Sequence, residues 1–222
     1  MPARRTPGGR GVATGLVLAA ALVAWLAPAV GDALVLDRDA VRGGELWRVA
    51  TGSLVHFSAS HLGYNLLAVG LAGWLLEARG RRVAPLLIAS AIGVGAAVMM
   101  FAPELARYGG LSGVAYALVV TVALDALGDA GAWRRLGATT LAAAGGKLAW
   151  EWGAGVYVLV DADAAGFVPV PVSHAAGAVV AAAMWVAGSI GTDRRALRAP
   201  RGSATLAPTG SPKPAHRPVA SR

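Results

Sequence analysis

Four side chains whose types could together hydrolyse an amide bond stand out in this sequence. Each stands at the head of an apolar run: His61 and Asn65 in one, Ser112 in a second, His174 in a third. Ser112 lies in Gly110-Leu111-Ser112-Gly113. Flanking glycines permit a tight turn and the close approach of another chain. A helix head offers unpaired N–H groups and a dipole that favours negative charge. Both suit a nucleophile with an oxyanion forming beside it. Taken alone, the same serine also reads as a helix cap, where serine is preferred. His174 follows Ser173, with Gly177 one turn further on and Ala181 another. That small-residue face lets a neighbouring helix come close. An ionisable residue inside an apolar run is costly and usually functional; a partly solvated histidine at the membrane interface is the alternative. If the helix headed by Ser112 is the neighbour, His174 comes within reach of the serine as its base. No acid stands near His174 in the sequence. The expectation is therefore a Ser–His pair rather than a three-residue relay. His61 and Asn65 are four apart and share a helix face. Asn NH2 and a neutral imidazole N–H are donors, which with the Ser112 backbone N–H can hold an oxyanion. A metal site is the rival for the histidines, but no carboxylate fits it.

The elements that must position these residues are membrane spans. Only 14% of the 222 residues are charged and 56% are hydrophobic, whereas soluble domains carry roughly 25% charged residues. Mean hydropathy is +0.57. These values predict an all-α membrane protein, one helical bundle with short tails. With no cysteine, disulfides, thiolate nucleophiles and Cys-ligated metals are excluded. The net charge of +8 gathers at the ends of apolar runs, which points to lipid headgroups rather than nucleic acid. A bilayer core takes about 20 helical residues. Six segments come close to that: 12–30, 61–77, 83–101, 112–128, 134–152 and 173–190. The first follows Arg4, Arg5 and Arg10, as a signal peptide would. Its run is long for one, however, and the proline of Ala27-Pro28-Ala29 makes a poor cleavage site, so it reads as an uncleaved span. The expected divisions are a cytoplasmic tail over 1–11, a six-helix membrane domain over 12–191 and a disordered basic tail over 192–222. Residues 31–60, 102–111 and 153–172 are read as loops on one side, the last a candidate lid.

Arginines set the orientation. Arg4, Arg5, Arg10, Arg79, Arg81, Arg82, Arg134, Arg135, Arg194, Arg195, Arg198 and Arg201 fall on one side. The opposite loops hold only Arg38, Arg42, Arg48 and Arg107, with most of the acids. Both termini are then cytoplasmic, and the second, fourth and sixth spans present their heads, with the polar residues, to the outside.

Taken together, several motifs resemble the rhomboid intramembrane serine proteases over about residues 12–190. They are Trp47-Arg48 in the first loop, His56 with His61 and Asn65, Gly110-Leu111-Ser112-Gly113, and His174 with Gly177. The resemblance implies a six-helix rhomboid-like bundle in a bacterial inner membrane. It implies Ser112 as nucleophile, His174 as base, and His61, Asn65 and the Ser112 N–H as oxyanion donors. Supporting positions would be His56, Gly110, Gly113, Gly177 and Tyr116, an aromatic one turn after the serine that packs on the base. The family's common Ala-His reads Ser173-His174 here. No metal or organic cofactor is implied; the partners are a transmembrane protein substrate and the lipid bilayer. More narrowly, the chain resembles rhombosortase, the bacterial subgroup linked to proteins with GlyGly-CTERM tails. The minimal six spans, a compact first loop, Gly43-Gly44-Glu45-Leu46-Trp47-Arg48-Val49-Ala50-Thr51-Gly52 and the Lys147/Glu151 pair carry that likeness. Tyr116 departs from it, since histidine is frequent there. Lys147 and Glu151 are four apart on one face. They read either as an ion pair near the outer interface with Lys147 snorkelling, or as polar substrate recognition beside the site.

Overall fold

A computed structural model of the chain describes residues 11–154 and 170–196. The expected tails at 1–10 and from 197 on, and most of the candidate lid at 153–172, lie outside those residues. Six longer helices stand where six spans were expected. They are α1 (Val12–Leu26), α5 (Ala59–Ala78), α6 (Val83–Phe101), α7 (Ser112–Leu127), α8 (Gly131–Ala154) and α9 (Pro171–Ala196). By length and hydropathy alone, α6 and the first 18 residues of α9 can cross a bilayer. A bent pair made of α1 and the short helix after it would make a third, and α7 is a shorter apolar helix. α9 runs past residue 191, where the membrane domain was expected to end, to Ala196.

The first span differs from the expectation of one helix over 12–30. α1 stops at Leu26, Ala27 is extended, and Pro28 opens α2 (Pro28–Leu34) after a bend of 115°. A residue before proline is pushed out of the helical region, and proline is at home in the first turn of a helix, where its missing N–H has no partner to lose.

Residues 31–60 are likewise not an open loop. They hold the end of α2, β1 (Leu36–Asp37), α3 (Arg38–Arg42), α4 (Arg48–Thr51) and a 3-10 turn over Gly52–Leu54. The Asp37 carboxylate accepts from the N–H groups of Asp39 and Ala40 and so starts α3. β1 pairs antiparallel with β2 (Arg107–Tyr108), with Leu36 opposite Tyr108. Arg38 fastens this layer to the bundle. It is buried, and its guanidinium donates to the carbonyls of Leu105 (3.1 Å), Met99 (2.9 Å), Val98 (3.2 Å) and Ala102 (2.8 Å). Those carbonyls lie at the end of α6 and in its following turn, where a cation also suits the helix dipole. Arg48 bonds Glu45 at 2.6 Å and donates to the carbonyls of Asp32 and Val35, while Trp47 donates its indole N–H to Ala33. The Trp47-Arg48 dipeptide thus ties the end of α2 to α4.

α7 is the central helix, packed against α5, α6, α8 and α9. Leu62, Val69 and Leu76 of α5, Leu86 and Leu87 of α6, and Val114 and Leu118 of α7 form the main core. At the far end from the site, Arg81 pairs with Asp125 through two guanidinium nitrogens, and Trp185 donates to the same carboxylate at 2.9 Å. Arg79 bonds Asp129 at 2.9 Å. α8 is the peripheral helix; its buried residues are Gly137 and Glu151.

Candidate active site

The head of α7 is shaped by Gly110, whose φ of 137° is a left-handed conformation that L side chains rarely adopt. A Cβ there would also lie 2.7 Å from the imidazole of His61, so the turn and that ring are in direct contact. Leu111 occupies the N-cap position and Ser112 is the first helical residue. The serine is therefore not placed as a cap, the plainer of its two readings. Its side chain stands half-buried at the positive end of the helix.

His56, read from sequence only as a supporting position, is a junction. Its Nδ1–H donates to the Leu54 carbonyl at 3.2 Å, which leaves Nε2 as an acceptor. Asn65 donates to that nitrogen from Nδ2 at 3.0 Å and the Leu111 N–H from 3.3 Å. One imidazole thereby fixes both the Asn65 amide and the entry to α7. Burial pushes the His56 pKa down to about 4, and the neighbouring His61 adds to the effect, so the ring is neutral as this bonding requires. His61 meets it edge to face, ring centroids 5.0 Å apart. Asn65 has a second amide N–H beyond the one that His56 accepts.

α7 and α9 cross backbone to backbone. A Cβ on Gly177 would lie 2.0 Å from the Gly113 carbonyl oxygen, and one on Gly113 would lie 2.7 Å from the Ser173 carbonyl oxygen. The helix headed by Ser112 is thus the close neighbour of the His174 helix. His174 stacks on Tyr116, with ring centroids 5.0 Å apart and planes inclined by 15°. Tyr116 is one turn from Ser112, and residues four apart share a helix face. The imidazole therefore lies over the face of α7 that carries the serine. The Tyr116 hydroxyl donates to the Ala144 carbonyl of α8.

Two arrangements escaped the sequence. The first is an acid at His174, where none was expected. Glu151 Oε2 lies 3.1 Å from His174 Nδ1, and Lys147 bonds the other oxygen, Oε1, while its Nζ lies 3.4 Å from the same ring nitrogen. Glu151 is only 3% exposed, so the Lys147/Glu151 pair meets the imidazole inside the protein. The helical spacing of the pair was visible; the face of α9 it meets was not. The second is Tyr108, buried beneath the first loop through the β1–β2 pairing. Its hydroxyl donates to the Gly110 carbonyl at 3.4 Å. Burial pushes this phenol up to about 12, against the opposing influence of the nearby Ser173 and Ser112 hydroxyls. Nothing in the sequence around Tyr108 marks it as a neighbour of the serine.

The structure thus brings together the heads of α5, α7 and α9, and with them His61, Asn65, Ser112 and His174. A family model for the rhomboid domain matches residues 43–190, two thirds of the chain and all of α5 to α8. No curated protein matches the chain. The family's members are intramembrane serine proteases. On that match, and on a helical fold to suit it, the chain belongs to the rhomboid family and is an integral membrane protein.

Proposed function

We propose that the chain is an intramembrane serine endopeptidase in which Ser112 is the nucleophile and His174 its base. The observation that carries this is the stacking of His174 on Tyr116, one turn from Ser112, with Nδ1 turned to Glu151. The other ring nitrogen, Nε2, is left for the serine. In the first half-reaction Ser112 Oγ attacks the scissile carbonyl carbon and its proton passes to Nε2. The negative oxygen that forms is met by the Ser112 N–H, Asn65 and His61. The C–N bond then breaks, Nε2 returns the proton to the leaving amine, and water cleaves the acyl-enzyme by the same route in reverse. His56 serves as the support that holds Asn65 in place.

The substrate is a transmembrane segment. It must leave helical form before a carbonyl is exposed, and glycine lowers that cost by roughly 1 kcal/mol per residue relative to alanine. A GlyGly-CTERM tail on an exported protein is the substrate class we favour. Six spans with both termini in the cytoplasm of a bacterium fit the arginine distribution, and place the site toward the periplasm. Of the four arginines in the opposite loops, Arg38 and Arg48 are held by backbone carbonyls, and Arg42 and Arg107 pair with Asp39 and Asp32. Alkaline phosphatase fused within 155–165 should be active, and fused after Arg201 inactive; the reverse pattern would defeat the orientation.

A fluorophosphonate probe tests the chemistry without a substrate. The expected result is labelling of the wild type at Ser112 alone, and its loss in His174→Ala. An unlabelled wild type would instead suit a rhomboid-fold binder of membrane proteins. Labelling of His174→Ala at the wild-type rate would move the base elsewhere.

A further inference from the structure

We propose that Glu151 is the positioning residue of His174, so that the base works in a Ser–His–Glu arrangement with Lys147 as counter-charge of the acid. The inference rests on the serine protease reading above and adds a third member to it.

An imidazole acts as a base toward Ser112 only if its proton sits on the far nitrogen. Tyr116 fixes the plane of the ring by stacking, but a stacked ring can still turn in its plane or carry its proton on either nitrogen. Glu151 removes that freedom. Its Oε2 at 3.1 Å accepts the Nδ1 proton, which leaves the lone pair on Nε2. When His174 takes the serine proton, the ring becomes a cation, and the carboxylate already in place lowers the energy of that state. Tyr116 and Lys147 approach the ring from α7 and α8.

The surroundings of Glu151 are hard to explain as packing. α8 buries little, and of its two buried residues one is a glycine and the other this carboxylate. A carboxylate out of water costs several kcal/mol unless it is paired and its lone pairs are used. Lys147 meets one oxygen and His174 the other. Both oxygens of the carboxylate thus have a partner beside the base, where an apolar contact between α8 and α9 would have been cheaper to hold. A substrate-recognition role for the pair is less well supported, because both Glu151 oxygens are engaged inside the protein.

The discriminating variants are Glu151→Gln and Glu151→Asp in the full-length chain. Glutamine keeps the shape but loses the charge, and its NH2 can donate to Nδ1 and so stabilise the wrong tautomer. Loss of the carboxylate in a Ser–His–Asp protease lowers kcat by about 10⁴-fold. Here Glu151→Gln should lower kcat, and the rate of fluorophosphonate labelling at Ser112, by about 10²-fold or more, with KM for a GlyGly-tailed reporter little changed. Glu151→Asp keeps the charge and should recover part of both rates. Glutamine with wild-type rates and an intact fold would overturn the inference, leaving only a tether between helices. A rise in KM with unchanged labelling would overturn it in favour of substrate recognition. If Glu151→Gln does not fold, the aspartate variant decides: a folded Glu151→Asp labelled at the wild-type rate overturns the role, because its carboxylate no longer reaches the ring in the same place. A wild type that is not labelled at all fails earlier, at the protease reading itself.

Discussion

Ser112→Ala is expected to end cleavage and fluorophosphonate labelling while the protein remains folded. The hydroxyl is the one atom removed, and it is the proposed site of the covalent bond. In serine proteases the loss of the nucleophile lowers kcat by about 10⁶-fold; here residual cleavage should fall below detection in detergent. Stability should move by about 1 kcal/mol or less, the worth of the one hydrogen bond it shares with Tyr108. Ser112 is only half-buried, and the N-cap of α7 is Leu111, so no cap is lost. The head of the helix is held by other means, namely Gly110 against His61 and the Leu111 N–H on His56. Thermal melting and cleavage of one transmembrane reporter check both halves. Turnover above about a hundredth of wild type would take the nucleophile away from Ser112, and a collapsed melting curve would show that the serine holds the fold.

Gly177→Val should also be damaging, by a route that leaves every reacting atom present. A Cβ at 177 would stand 2.0 Å from the Gly113 carbonyl oxygen and 3.3 Å from the Ala117 nitrogen. Both are backbone atoms of α7, which cannot step aside as a side chain would. The two helices must separate by more than an ångström, on the order of the misplacement that costs about 10²-fold in rate. His174 would lift from Tyr116 and from Ser112 together. We expect a loss of cleavage of about 10²-fold or more and a destabilisation of about 1–3 kcal/mol, the range for an overpacked core. Gly15→Ala is the control, since a Cβ there meets nothing within 4 Å. It should keep full activity and gain up to about 1 kcal/mol from the better helix former. Wild-type cleavage in Gly177→Val would mean that the close crossing of α7 and α9 is not needed by the site.

The sequence by itself determined where the long helices lie and which residues stand at their heads. Residues 83–101 were read as a span and are α6, and α7 ends one residue short of the expected 128. Apolar runs of this length fold as helices in a bilayer because the backbone has no other way to satisfy its N–H and C=O groups. Polar residues within them are then few enough to be noticed singly, which is why Ser112, His174, His61 and Asn65 were legible at once. The order of the arginines was legible for the same reason.

What only the tertiary structure decided is how each helix is turned about its own axis and what the first loop does. α8 is apolar on most of its faces, so periodicity does not say which face meets the bundle. Lys147 and Glu151 were visible as a pair, yet nothing in the order of residues aims Glu151 at an imidazole 23 positions away. Pro28 was visible too, but the resumption of a helix at 115° depends on the layer it joins. That layer is held by Arg38 on the end of α6 and by Leu36 opposite Tyr108, contacts between residues 60 or more positions apart. Buried polar groups must find partners, and the chain meets that demand with residues brought together only once the helices have packed.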